Sequence, residues 1–196
     1  MPDGEIPLFP LKTVLCPEGR LPLQIFEPRY LDMVAGCMKR GHGFGVVAIR
    51  SGSEVGAAQS YSVGTEARIH TWDRNDNGLL ALTVIGTERF RLTSVRRQED
   101  GLYLGSAERL AAEPSIPLPE QYRVACEYLR RLMRRPESRP TDAEARFDDA
   151  SWVGYRLTEL LPLELSAKQS LLECDDPLER LAALASVVER LRTASV

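Results

Sequence analysis

Hydrophobic periodicity changes once along this chain, from two to about 3.6 residues, and the change falls at the proline-rich segment Glu113-Pro114-Ser115-Ile116-Pro117-Leu118-Pro119. A period of two sends side chains alternately to the two faces of a strand, whereas the longer period gathers them on one face of a helix. The chain is therefore expected to divide into a strand-built region over residues 1–112 and a helical region over 113–196, joined by a stiff connector.

In the first region, Ala67-Arg68-Ile69-His70-Thr71-Trp72 and Arg89-Phe90-Arg91-Leu92-Thr93 alternate as half-buried strands do. Turn signals end in glycine at Asp73-Arg74-Asn75-Asp76-Asn77-Gly78 and Gln98-Glu99-Asp100-Gly101, so hairpins are expected at both places. The apolar runs Gly45-Val46-Val47-Ala48-Ile49 and Leu79-Leu80-Ala81-Leu82-Thr83-Val84-Ile85 are short and rich in β-branched residues, as in covered strands. A small, largely antiparallel barrel closes so many short strands without leaving long edges. One helix interrupts them: Pro28 suits a first helical position, Leu31, Val34 and Met38 recur at helical spacing, and Gly41 stops the run. That helix is expected to pack on the barrel.

The second region carries a stripe of Tyr122, Ala125, Leu129 and Leu132, with Arg123, Glu127, Arg130, Arg131 and Arg134 mostly off it. After a polar loop over 136–146, Trp152, Val153, Leu157, Leu160 and Leu161 mark a second helix ended by Pro162. Ser166 and Gln169 have the form of a capping box. Asp176-Pro177 opens a last helix whose Leu181, Ala185, Val188 and Leu191 line one face. The fold class is thus α+β, an antiparallel β-barrel followed by a helical bundle.

Composition narrows the function. Asp plus Glu number 28 against 25 for Lys plus Arg, so no global field draws the chain to nucleic acid or an anionic membrane. Only three of the basic residues are lysines (Lys12, Lys39 and Lys168), a bias that fits a GC-rich bacterial genome. Cys16, Cys37, Cys126 and Cys174 are widely spaced and signal reduced core thiols rather than a metal knuckle or disulfide framework. The acidic start, broken by Pro7 and Pro10, does not read as a signal peptide, so a cytoplasmic location is expected.

Catalytic signatures are absent. Lys12-Thr13 has no glycine loop before it, as a phosphate-binding loop would require. Gly41-His42-Gly43-Phe44-Gly45 lacks the spacing of a dinucleotide fingerprint and reads as a turn. His42 and His70 have no nucleophile elbow to serve. Ser166 and Lys168, two apart, do not face each other on a helix. Asp148-Asp149 and Asp175-Asp176 precede helices, where negative charge favours the macrodipole. No catalytic residue, cofactor site or metal site is expected, and the chain reads as a protein that is not an enzyme.

Ile6-Pro7-Leu8-Phe9-Pro10-Leu11, Val14-Leu15-Cys16-Pro17 and Phe26-Glu27-Pro28-Arg29-Tyr30-Leu31 resemble the opening of the Lon protease amino-terminal domain family. Val63-Gly64-Thr65-Glu66-Ala67-Arg68-Ile69 and Ile85-Gly86-Thr87-Glu88-Arg89-Phe90 resemble its next two signatures in the same order, and the stretch from Leu160 to Glu173 is similar to the way its helical part ends. Cys16 departs from the larger apolar residue usual there, and 136–146 matches nothing in the family.

The resemblance implies a PUA-like barrel joined to a helical bundle. In Lon proteases this region helps recognise unfolded or tagged substrates, on which separate ATPase and Ser-Lys protease domains act; neither follows here, so a stand-alone module is expected. The implied role is substrate binding, with unfolded or extended polypeptide, or a protein partner such as a protease, as the target. Candidate contact residues are Phe26, Glu27, Arg29 and Tyr30, set against a purely structural role in locking the helix to the barrel. Gly86 reads as a bulge or a close backbone approach. The alternative is an RNA-binding PUA-like protein that uses Arg123, Arg130, Arg131 and Arg134, which the acidic balance disfavours. The oligomeric state leaves no mark in the sequence.

Overall fold

The computed structural model describes residues 5–54, 58–74, 78–134 and 145–193. The chain forms two compact units, Met1–Ala112 and Glu113–Val196. The first contains β1 (Ile6–Leu11), β2 (Arg20–Ile25), α1 (Pro28–Arg40), β3 (Phe44–Gly52), β4 (Ala58–Arg74), β5 (Leu80–Arg97) and β6 (Tyr103–Arg109). The second contains α2 (Arg123–Met133), α3 (Ala150–Leu160), α4 (Leu165–Glu173) and α5 (Pro177–Thr193). Most of the polar loop expected over 136–146 lies outside the described residues, as does the centre of the turn expected at 75–77.

The first unit is α+β, with its strands closed into a ring. β1 pairs with β3 and β6, β3 with β4, β4 with β5, and β5 with β6, which returns to β1. Every pair is antiparallel except β1–β3, which is parallel. Closure covers most of the ring's edges, although residues 68–74 of β4 pair only with β5 and residues 9–11 of β1 only with β3. β2 stands outside the ring, paired with the first half of β5 from Arg20 opposite Ile85 to Ile25 opposite Leu80.

Two strands expected separately, over 79–85 and 89–93, are one continuous β5 of 18 residues. Its first half serves β2 and its second half β6, so a single long strand can carry two neighbours in turn. Gly86 sits where the partners change. Its N–H donates to the Gly19 carbonyl at 2.9 Å, and its carbonyl accepts from Glu18 N at 2.7 Å. A Cβ there would lie 2.2 Å from the Cys16 carbonyl oxygen, so the close backbone approach read from the sequence is present. The glycines around His42 are likewise structural: Gly41 caps α1 at φ 68°, and a Cβ at Gly43 would lie 2.3 Å from the Ala67 carbonyl oxygen. The expected hairpin between β5 and β6 is made by Gln98 N–H to Leu102 O at 2.8 Å and Gly101 N–H to Gln98 O at 3.0 Å.

α1 packs on the barrel as expected, through a stripe that shares only Val34 with the expected one. Tyr30, Met33, Val34 and Cys37 are buried, whereas Leu31 and Met38 are exposed. The buried stripe is centred one position away because Phe9, Phe44 and Leu102 fill the core below Tyr30 and Met33. Burial pushes the Cys37 thiol up to about 11, and its S–H donates to the Gly43 carbonyl at 3.4 Å. The folded chain therefore holds this proton more tightly than the unfolded chain, whose ordinary thiol value is 9.0. The stabilisation is complete below pH 9 and is lost as pH rises from there through about 11. Tyr30, also raised by burial, adds in the same direction at higher pH. Urea midpoints should fall over that window, and the Cys37→Ala chain should lose less; an equal decline in both would remove Cys37 as a cause.

The second unit packs α2, α3 and α5 around Leu129, Leu157, Leu161, Leu181 and Leu184. Its first residues are no free connector: Leu118 N–H donates to Asp148 O at 2.7 Å, and Ala150 N–H donates to Ile116 O at 2.7 Å. Both helix-start carboxylates do what the sequence implied. Asp149 Oδ1 accepts from Ser151 N at 2.9 Å and Trp152 N at 3.3 Å, and Asp176 Oδ1 accepts from Leu178 N at 2.8 Å. The Ser166 capping box does not form. α4 starts at Leu165 with Glu164 before it and no side-chain cap, which puts Ser166 inside the first turn, and the Gln169 amide turns to Glu173 at 2.7 Å. On α2 the buried stripe runs through Ala125, Cys126, Leu129 and Met133, with Leu132 only partly buried. No helix among the described residues is long and apolar enough to cross a membrane.

Candidate functional site

β2 ends at Ile25, and Phe26 and Glu27 lead directly into the proline-fixed start of α1. This junction carries all four residues singled out in the sequence, and it sorts them by exposure. Arg29 and Tyr30 face inward. The Arg29 guanidinium donates from Nη1 to the Gly101 carbonyl at 2.9 Å, pairs through Nη2 with Glu27 at 2.7 Å and lies 4.6 Å from the Tyr30 ring centre. The Tyr30 ring lies 4.2 Å from that of Phe9, tilted by 53°, and burial raises its hydroxyl above the usual tyrosine range. These two side chains tie α1 to the β5–β6 turn and to β1. Phe26, in contrast, is 60% exposed.

Beside Phe26 runs a groove of about 210 Å³. It is lined by Pro22, Leu23, Gln24 and Ile25 of β2, by Phe9, Pro10 and Leu11 of β1, and by Glu27, Tyr30 and Glu54. Glu54 is held by accepting from the Lys12 backbone N–H at 2.7 Å. Small-molecule sites occupy roughly 300–1,000 Å³, so this groove is sized for a few side chains rather than a cofactor. Among the described residues β2 has a strand neighbour on one side only. An edge of this kind presents unpaired backbone groups to an incoming chain.

A second groove, of about 640 Å³, shares Pro22, Leu23 and Gln24 with the first and is otherwise lined by Thr71, Trp72 and Asp73 of β4 and by Ala81, Leu82 and Thr83 of β5. Trp72 is 58% exposed. The free edge of β2 and these flanking grooves were missed in the sequence. A signal was present: Leu21-Pro22-Leu23-Gln24-Ile25 alternates and contains a proline, which confines a strand to an edge.

The other candidates have local roles. His42 accepts at Nε2 from Arg40 Nε at 2.8 Å, with Nδ1 at 2.9 Å from the Gly43 carbonyl, so the ring is engaged on both sides. His70 is exposed on β4. In the arginine-rich helix, Arg123 pairs with Glu120, and Arg130 lies 3.7 Å over the Phe147 ring. Among the described residues no group of three or more His, Cys, Asp or Glu could hold a metal ion.

A five-strand ring with one appended edge strand, followed by a helical bundle, defines a two-part α+β fold that known proteins share. The protein is similar over 93% of its length to the crystal structure of a Lon N-terminal domain protein from Xanthomonas campestris, with a TM-score of 0.78 and 36% identity across 98% of that chain. The N-terminal domain of the Mycobacterium avium complex Lon protease has the same fold at a TM-score of 0.65 and 20% identity. The model of the ATP-dependent protease La (LON) substrate-binding domain matches residues 5–190, and the chain belongs to that family. Among curated relatives, Escherichia coli Lon protease is 25% identical over 94% of this chain, and cereblon from Xenopus tropicalis is 27% identical over 90%. The chain spans 24% of the length of that Lon protease and 40% of that cereblon.

Proposed function

We propose that the protein is a non-catalytic recognition module that binds unfolded or extended polypeptide in the groove along β2. A protein partner, such as a protease, would act on what it holds. The observation that carries this reading is an unpaired strand edge lying beside an apolar groove with the exposed ring of Phe26 at its rim. Strand addition to such an edge gains affinity from main-chain hydrogen bonds, which any sequence supplies, and selectivity from side-chain pockets. Membership of a substrate-binding family supports the same reading.

Of the four residues proposed for contact, Phe26 reaches the partner directly, Glu27 and Tyr30 line the groove, and Arg29 holds Glu27 in place. The RNA alternative has less support, because two of its four arginines are engaged within the protein. A chain binding in this way requires no cofactor, and neither ATP hydrolysis nor proteolysis is expected of it.

Titrating a reduced, alkylated and therefore unfolded model protein against the full chain should give a dissociation constant in roughly the micromolar range, because ordering the partner offsets much of the contact energy. The native form of the same protein should not bind. Phe26→Ala should weaken binding about tenfold or more, as loss of an exposed aromatic anchor does, while leaving the unfolding midpoint of so exposed a position nearly unchanged. Equal binding of native and unfolded probes, or an unaffected Phe26→Ala chain, contradicts the reading.

A further inference from the structure

Resting on that reading, we infer that the β2 edge selects segments in which apolar and polar residues alternate with a period of two. The two faces of β2 carry opposite chemistry. On one face Leu23 and Ile25 lie opposite Leu82 and Leu80, and Leu23, Ile25 and Leu82 are buried in the barrel core. Phe9, Leu11 and Tyr30 belong to the same core cluster as Leu23 and Ile25 and line the smaller groove, whose lining also includes Pro22 and Gln24. On the other face Pro22 lies opposite Thr83, itself opposite Thr71, and Gln24 lies opposite Ala81, itself opposite Asp73. Directly paired residues share a face of a sheet, so these six form one continuous, mostly polar surface.

A strand added beside β2 would continue both faces, because its successive side chains also point to opposite sides. Every second residue of the partner would then enter the apolar groove, and those between would lie beside Gln24 and its polar neighbours. A segment of the same composition in another order must either leave apolar side chains over the polar face or bury polar ones against Phe9 and Leu11, and both cost free energy. Pro22 has no N–H to offer, which shortens the usable edge and keeps it from templating a long sheet.

The test uses two synthetic peptides of about ten residues built from the same Leu, Val, Thr and Ser residues. One alternates apolar and polar residues, and the other is rearranged to a helical period. An unfolded model protein serves as a third probe, with affinity measured on the full chain. The alternating peptide is expected to bind about tenfold tighter than its rearranged twin. Gln24→Leu, at an exposed position, should shrink that ratio by making the second face apolar. Equal binding of the two peptides overturns the alternation rule and leaves the polypeptide-binding reading standing, as does failure of both peptides while the unfolded protein binds. Failure of all three probes removes the reading and the rule together. An unchanged ratio in a folded Gln24→Leu chain removes the outer face from the account.

Discussion

Replacing Arg180 by methionine is expected to cost about 3–5 kcal/mol of stability, the range for breaking a buried ion pair from one side. The Arg180 side chain is fully buried in the helical unit. Its guanidinium donates from Nη1 to Glu113 Oε2 at 2.8 Å, from Nη2 to Glu113 Oε1 and the Cys174 carbonyl, and from Nε to the Leu171 carbonyl at 2.9 Å. The Tyr155 ring lies 4.0 Å from the guanidinium carbon, and the Tyr155 hydroxyl donates to Glu113. One side chain thereby joins the first residue of the unit to the end of α4 and the start of α5. Methionine fills similar space but leaves a buried carboxylate and two carbonyls without this donor. The loss is comparable to much of the net stability of a small domain. Removing the carboxylate as well, in Arg180→Met with Glu113→Leu, should recover a substantial part, because the uncompensated charge is then gone. A urea midpoint that moves by less than about 1 kcal/mol in the single variant would show that the pair is not the clamp described.

The second large effect is expected at Gly86, where valine should cost about 3 kcal/mol, the upper end of the overpacking range. The obstacle is backbone rather than a yielding side-chain tip: a Cβ would lie 2.2 Å from the Cys16 carbonyl oxygen and 3.1 Å from its carbon. Moving either chain breaks the bonds that Gly86 makes with Glu18 and Gly19 just before β2. Gly41 is a useful contrast, since it has positive φ but nothing within 4 Å of a built Cβ. Gly41→Ala should therefore cost only about 1 kcal/mol, the conformational term alone. Equal losses at the two positions in urea unfolding would contradict this ranking.

Features set by neighbours in sequence were legible. The change of periodicity at the proline-rich segment, the entry of α1 at Pro28, its stop at Gly41, and the carboxylate caps at Asp149 and Asp176 all rest on interactions within a few residues. Features set by distant pairing were not. Arg180 and Glu113 are 67 positions apart, and nothing local marks either as buried. The continuity of β5 depends on β2 and β6 taking successive halves of one strand, which no pattern within residues 79–93 encodes.

The candidate site shows the same division. The Phe26-to-Tyr30 motif stood out in the sequence, but the inward course of Arg29 and Tyr30 depends on Gly101 and Phe9, far along the chain. Of the stripe expected on α1 only Val34 is buried, because Leu31 and Met38 satisfy the helical period as well as Tyr30, Met33 and Cys37 do. Periodicity identifies an amphipathic helix, and packing against Phe9 and Phe44 chooses the face.

Hydrogen exchange of the full chain with and without a saturating unfolded model protein tests most directly whether polypeptide adds to β2. Strand addition pairs edge amides that solvent otherwise reaches, so protection should increase along residues 20–27 and stay unchanged on α2. Protection that leaves 20–27 unaltered while the unfolded protein is bound would place recognition elsewhere and contradict the account.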